Sequence, residues 1–127
     1  MNFYQGEVKR LSKQLYPHDD LTKQVVQSKL YIDKHYADTI NLDKIAGKAH
    51  ISKFHFIRLF KRYYGQTPNQ YLQEVRIGKA KKLLEKGRSI DEACVAVGFT
   101  SKTSFISLFR KLTGLTPFVY QTRKAQG

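Results

Sequence analysis

The sequence predicts an all-α fold of about seven helices, in which two helix-turn-helix subdomains are joined by a long central helix. Apolar residues recur at helical spacing along most of the chain, no segment alternates as a strand does, and one segment occurs twice. The 127 residues, 41% of them hydrophobic, are enough for one compact domain or for two small halves that share a core.

The order of these patterns divides the chain into four parts. Pro17 and the pair Asp19-Asp20 mark the first boundary. The predicted parts are an N-terminal extension at 1–19, a first helix-turn-helix subdomain at 20–67, a linker helix at 68–87, and a second subdomain with a C-terminal helix at 88–127. The first subdomain opens with an amphipathic helix over 20–36, on or near whose buried side Val25, Val26, Leu30 and Ile32 are predicted to lie.

The repeated segment runs from Leu42 to Pro68 and again from Ile90 to Pro117. Its two copies are offset by 48 residues up to Ala49 and Val97, and by 49 residues from Ser52 and Ser101 onward. The second copy therefore has one extra residue in its middle. Because an insertion is tolerated there and nowhere else, this position is predicted to be a turn between two helices.

Capping residues mark where each helix begins and ends. The predicted N-caps are Asn41, Ser52, Ser89 (with Glu92 three residues later) and either Ser101 or Thr100. Both copies end in Gly-x-Thr-Pro, at Gly65 and Gly114, where glycine closes one helix, threonine caps the next and proline takes its first position. Residues 68–86 then form one continuous helix of about 28 Å at 1.5 Å per residue, and residues 117–124 form a short final helix.

The charge is strongly positive and uneven. The chain has 23 Lys and Arg against 10 Asp and Glu, a net charge of +13. Residues 1–51 have 8 basic and 6 acidic side chains, whereas residues 52–127 have 15 and 4, which gives net charges of +2 and +11. Such a balance favours a polyanionic partner.

These residues resemble the AraC/XylS family of bacterial regulators over about residues 20–124. The most specific matches are Ile45-Ala46 with Ser52 and Leu59-Phe60-Lys61; Tyr71-Leu72, Arg76-Ile77, Ala80 and Leu83-Leu84; and Val97-Gly98-Phe99, Phe105, Phe109-Arg110-Lys111, Gly114 and Thr116-Pro117. Ala93-Cys94 stands where the family usually has Ile-Ala, and Ser107 stands where a long polar residue is common. The resemblance implies a regulator whose partners are double-stranded DNA and RNA polymerase, with no cofactor. A cytoplasmic location is expected from the lack of a long apolar stretch and from the single cysteine, Cys94.

The second helix of the first copy has two distinct faces. Phe56, Leu59, Phe60 and Tyr63 follow helical spacing and are predicted to be buried. The opposite face has Phe54, Ile57, Arg58 and Lys61, with Lys53 at the helix start. There Phe54 and Ile57 could pack against thymine methyl groups while Arg58 binds a guanine edge. Alternatively, the two apolar side chains pack under a neighbouring helix and Arg58 is an ordinary surface charge.

The offset of 49 residues identifies the matching face of the second copy. It has Thr103, Ile106, Ser107 and Arg110, with Lys102 at the helix start, and it lies opposite Phe105, Leu108, Phe109 and Leu112. Its polar groups are shorter, so weaker base reading is expected there. By the resemblance, both helices enter the major groove. Two unequal units on one chain predict an asymmetric site of two adjacent groove segments, bound by a monomer.

Other function classes are disfavoured by what the sequence lacks. It has no phosphate-binding glycine loop, His50 and His55 fall on different helical faces, and Cys94 stands at a small-residue position of a scaffold helix, so neither an enzyme nor a metal site is expected. No apolar stretch approaches the roughly 20 residues that cross a bilayer. A basic helical module that binds RNA or anionic membrane surfaces is the remaining alternative.

Overall fold

The computed structural model of the chain describes residues 19–127. The N-terminal extension predicted over 1–19 lies outside the described residues except for Asp19. Residues 19–127 contain seven helices and no strand, which confirms the predicted all-α class. The helices are α1 (Asp19–His35), α2 (Leu42–Lys48), α3 (Lys53–Tyr64), α4 (Pro68–Glu85), α5 (Ile90–Ala96), α6 (Lys102–Thr113) and α7 (Pro117–Gln126).

The described residues form two compact units. The N-unit comprises residues 19–34 and 40–70, and the C-unit comprises residues 35–39 and 71–127. Each unit contains one helix-turn-helix pair, α2 with α3 in the N-unit and α5 with α6 in the C-unit. Helix α4 contributes its first three residues to the N-unit and the rest to the C-unit.

The predicted N-caps fix the first residue of four helices in the two repeated pairs. The side chain of Asn41 accepts a hydrogen bond from the backbone N–H of Lys44 (3.1 Å), and Ser52 accepts one from His55 (3.0 Å). In the C-unit, Ser89 and Ser101 accept equivalent bonds at 3.1 and 3.2 Å, so Ser101 rather than Thr100 is the cap of α6. Each bond satisfies an N–H group that the first helical turn leaves without a partner.

The Gly-x-Thr-Pro segments act as the sequence predicts. Gly65 and Gly114 take the left-handed conformation, with φ of +77° and +83°, and end α3 and α6. Thr116 caps α7. At the start of α4 the capping is reciprocal, because the N–H of Gln70 donates to Thr67 Oγ1 (3.1 Å) and the N–H of Thr67 donates to Gln70 Oε1 (2.8 Å). Each helix-turn-helix pair therefore continues directly into a capped third helix.

The N-unit core is built on the predicted stripe of α3. Phe56, Leu59, Phe60 and Tyr63 are all buried, together with Val25, Ile32 and Ala46. The prediction for α1 was wrong at Leu30, which is 59% exposed, while Val26 is half-buried. Val25 and Ile32 are seven residues apart and share one face, whereas Leu30 lies about 140° around the helix from Val25 at 100° per residue.

The C-unit core is continuous through four helices. It contains Ile77, Ala80, Leu84, Ala93, Cys94, Val97, Phe105, Phe109 and Tyr120. The prediction that Leu108 and Leu112 belong to the buried stripe of α6 was wrong in part, because Leu108 is only half-buried and Leu112 is 45% exposed. Leu112 lies in the last turn of α6, where the core no longer covers the helix.

Two long side chains fasten this unit at its periphery. The Arg76 guanidinium donates to the carbonyl oxygens of Tyr36 (2.6 Å) and Asp38 (3.0 Å), and so holds the segment 35–39 in the C-unit. The Gln121 amide donates to the carbonyl oxygens of Leu84 (3.0 Å) and Arg88 (2.7 Å), which joins α7 to the end of α4. Both arrangements satisfy carbonyl groups at helix ends and in turns, where the regular helical hydrogen bonds stop.

Candidate nucleic-acid interface

The face of α3 opposite the core is open to solvent. We call it the α3 outer face; it comprises Lys53, Phe54, Ile57, Arg58 and Lys61. Phe54 is 67% exposed, Arg58 and Lys61 are exposed, and Ile57 and Lys53 are half-buried. A phenylalanine ring in water forfeits hydrophobic free energy, so an exposure this large favours a surface that becomes covered when a partner binds.

The core holds this face in a fixed orientation. Because Phe56 and Phe60 are fully buried one helical turn apart, α3 cannot rotate about its axis without losing both rings from the core. Phe54 therefore stays outward, and the alternative in which it packs under a neighbouring helix does not hold within residues 19–127. The Lys53 ammonium lies 5.4 Å from the centroid of the Phe54 ring, within cation–π range.

The equivalent face of α6 is more polar. We call it the α6 outer face; it comprises Lys102, Thr103, Ile106, Ser107 and Arg110. All but Ile106 are exposed, and Ile106 is half-buried against the C-unit core. The side chain of Ile106 is therefore less accessible to a ligand than the side chain of Phe54. The exposed groups between Lys102 and Arg110 are short hydroxyls, which reach less far than the Arg58 guanidinium.

Both outer faces are basic and contain no acidic residue. Helix α3 has four basic side chains and α6 has three, and neither has an Asp or Glu. The first turn of each helix also directs N–H groups outward, where they favour an anion. Together these charges suit phosphate groups along a polyanion backbone.

One ion pair on the α6 outer face was not predicted by any pattern in the sequence. Lys102 Nζ lies 2.9 Å from Asp91 Oδ1, and the two side chains are 56% and 74% exposed. The residues are on successive helices, eleven positions apart, so no helical spacing relates them. The only signal in the sequence was that Asp91 is one of four acidic residues after position 51.

The described residues offer little for other chemistry. Within residues 19–127, no group of three or more His, Cys, Asp or Glu side chains is placed to hold a metal ion. In the same part of the chain no helix is both long and apolar enough to cross a membrane. Cys94 is buried, and its burial raises the pKa of the thiol, which makes it a poor nucleophile. His50 lies in the turn between α2 and α3, so it does not share a helix face with His55.

Comparison with known proteins matches this architecture to one family. The family model for a helix-turn-helix domain matches residues 45–123, from α2 into α7. Among solved structures, a probable AraC family transcriptional regulator from Rhodopseudomonas palustris is similar with a TM-score of 0.72 and 25% identity, over 80% of this chain and 97% of that one. The chain belongs to the AraC-type helix-turn-helix family.

Two other relatives of this AraC-type chain are informative. The DNA-binding domain of AdpA, a global transcriptional factor solved in complex with a target DNA, has a TM-score of 0.72 and 28% identity, over 81% of this chain and 97% of that one. The bifunctional transcriptional activator and DNA repair enzyme AdaA of Bacillus subtilis is 39% identical over 88 residues, which are 68% of this chain and 42% of AdaA. The chain thus spans less than half the length of that relative.

Proposed function

We propose that this chain is the DNA-binding part of a transcription regulator and that it binds duplex DNA through the outer faces of α3 and α6. The observation that carries the proposal is the α3 outer face, where an exposed phenylalanine and an exposed arginine stand on a helix whose opposite side is buried. The likeness to the AdpA domain, which was solved with a target DNA, supports it.

Each side chain of the α3 outer face has a proposed contact. The Arg58 guanidinium donates to a guanine edge, and Phe54 and Ile57 contact thymine methyl groups in the major groove. Lys53 and Lys61 bind phosphates, which adds affinity without reading sequence. The combination selects a half-site that contains both guanine and thymine.

The α6 outer face contacts a second half-site with less discrimination. Thr103 and Ser107 form hydrogen bonds with either donors or acceptors on base edges, and Ile106 offers a smaller apolar surface. Arg110 binds a phosphate, and Lys102 stands at the start of α6, where a further phosphate of the backbone approaches. Sequence preference in this half-site should therefore be broader than in the half-site of the N-unit.

The two half-sites are proposed to be adjacent segments of the major groove on one duplex. Successive major-groove faces on one side of B-DNA lie about 34 Å apart. Because the two faces differ, the site is asymmetric and one chain occupies it.

The remaining features of the proposal follow from this role. A regulator of bacterial transcription acts in the cytoplasm, has RNA polymerase as its further partner, and needs no catalytic residue of its own. The repair activity in the name of AdaA belongs to a protein of which this alignment covers 42%. It is not proposed for this chain.

Selection of bound duplexes from a random pool tests the proposal. The full 127-residue chain should enrich an asymmetric site with two blocks about 10 base pairs apart, and binding should weaken steeply as salt rises because phosphate contacts release counterions. A parallel titration with structured RNA and with anionic vesicles tests the alternative, in which the chain is a basic helical module that binds RNA or membrane surfaces. A palindromic site, or equal affinity for all three ligands, would contradict the proposal.

A further inference from the structure

The ion pair between Asp91 and Lys102 lies at the start of the α6 outer face. Asp91 is in the first turn of α5, and Lys102 is the first residue of α6. Their charged atoms are 2.9 Å apart, and both side chains are mostly solvent-exposed. The ammonium that should meet a phosphate is therefore already paired with a carboxylate of the same unit.

The N-unit contains the same two residue types at equivalent positions but does not pair them. By the repeat offsets, Asp91 corresponds to Asp43 and Lys102 corresponds to Lys53. Within residues 19–127 the Lys53 ammonium has no ion pair with Asp43, and it lies over the ring of Phe54 instead. The residue after Lys102 is Thr103, which has no ring to compete with the carboxylate.

We propose that Asp91 restrains phosphate binding by the C-unit. It neutralises Lys102 and presents a negative charge beside the DNA backbone, so the start of α6 contributes one phosphate contact fewer than the start of α3. The inference rests on the proposed function. It adds Asp91, a residue outside both outer faces, to those that set the affinity for duplex DNA.

The ion pair between Asp91 and Lys102 should affect DNA binding more than it affects the stability of the fold. An exposed ion pair contributes little to stability. In binding, however, each phosphate that a lysine neutralises changes the slope of log K against log salt by about −0.9. A contact of this kind is sequence-independent, so releasing it should tighten binding to any duplex by the same factor.

The test compares Asp91→Asn with Asp43→Asn in the full chain. Both variants remove one exposed acidic charge from the first turn of the first helix of a pair, and neither changes a capping residue. Affinities for a selected duplex and for an unrelated duplex are measured by fluorescence anisotropy over a range of salt concentrations. Asp91→Asn should steepen the slope by about one and tighten both duplexes several-fold at low salt, and Asp43→Asn should leave the slope unchanged.

A second pair of variants assigns the effect to Lys102. Lys102→Ala should barely alter the slope in the wild-type background, and should return the slope of Asp91→Asn to the wild-type value. Lys53→Ala should reduce the wild-type slope by about one, because within residues 19–127 that ammonium is not paired with a carboxylate.

Each other outcome overturns the restraint. Equal strengthening by both Asn variants would show an effect of overall charge alone. Weaker binding by Asp91→Asn would show that the carboxylate instead positions Lys102 on a phosphate. A wild-type chain that binds no duplex would overturn the proposed function together with this inference, whereas a wild-type chain that binds, with an unchanged slope in Asp91→Asn, would overturn the restraint alone.

Discussion

The turns of the two helix-turn-helix pairs are closed by equivalent backbone hydrogen bonds, but different residues occupy the left-handed position of each turn. In the N-unit the N–H of Ile51 donates to the carbonyl of Ala46 (3.2 Å), and in the C-unit the N–H of Phe99 donates to that of Cys94 (3.1 Å). The residue before each donor has a positive φ, +57° for His50 and +98° for Gly98. The C-unit turn also has the extra residue, Thr100, that the repeat offset predicts.

The difference shows which turn is constrained by its own backbone and which by its neighbours. His50 is exposed, and its left-handed conformation carries only the intrinsic strain of a residue with a Cβ. At Gly98 a Cβ would lie 2.8 Å from the carbonyl oxygen of Ala37, in the segment that Arg76 holds in the C-unit. The same turn thus accepts histidine in one unit and requires glycine in the other.

The largest effect is expected from Gly98→Ala. The substitution combines left-handed strain with a backbone clash, so it should lower the free energy of unfolding by about 2 to 5 kcal/mol. Gly114→Ala is the matched control, because Gly114 has φ +83° and nothing lies within 4 Å of its Cβ position, so it should cost only the left-handed strain, about 1 to 2 kcal/mol. Urea unfolding measures both variants. Equal costs would mean that the approach of Ala37 is not rigid.

The next effect concerns DNA binding and sharpens the contrast between outer faces. Arg58→Ala should weaken specific binding by about 1 to 3 kcal/mol, which is roughly 5- to 150-fold in Kd. Ser107→Ala should cost less, because a short hydroxyl makes fewer hydrogen bonds than a guanidinium. Gel-shift titrations on one selected duplex compare the two. Losses of similar size would show that both units read bases equally well.

A smaller gain is expected from His50→Gly. Glycine removes the left-handed strain but raises the entropy of the unfolded chain, so the net stabilisation should be about 0.5 to 1 kcal/mol. Ala49→Gly is the control, since Ala49 has φ −96° and only the entropic loss applies. Thermal unfolding should therefore shift in opposite directions for the two variants. A destabilised His50→Gly would indicate that the imidazole makes a contact worth more than the strain.

The smallest expected effect is a dependence of the unfolding free energy on pH, which arises from the C-unit pair because only that pair has a thiol at this position of the repeat. Cys94 occupies the position of Ala46 in the repeat, and burial raises the pKa of its thiol. The thiol ionises at a lower pH in the unfolded chain than in the folded protein. The protein should therefore lose stability as pH rises from about 8 toward the higher folded pKa.

Cys94→Ala should remove that contribution. The comparison uses the slope of unfolding free energy between about pH 7.5 and 9.5. Burial raises the pKa of Tyr120 as well, but its contribution is the same in both proteins and cancels in the comparison. The slope is compared rather than the absolute stability, because the substitution also removes a packed sulfur atom. Identical slopes in the two proteins would show that the thiol is not protected in the fold.

Helix ends were predicted well and buried faces less well. Asn41, Ser52 and Ser89 cap the helices they were predicted to cap, and α4 ends one residue before its predicted limit. Leu30 was expected on or near the buried side of α1 and Leu112 in the buried stripe of α6, but both side chains are exposed. Periodicity shows which side a residue is on, but not how far along the helix the core extends.

Within residues 19–127, the sequence by itself determined the seven helices, the caps of the repeated pairs and the duplicated plan, because these depend on bonds and contacts between residues three or four positions apart. Only the tertiary structure decided that Asp91 pairs with Lys102, that the backbone of Ala37 lies against Gly98, and that Phe54 is 67% exposed. Those features depend on how separate helices and loops are placed against each other, and no local spacing specifies that placement.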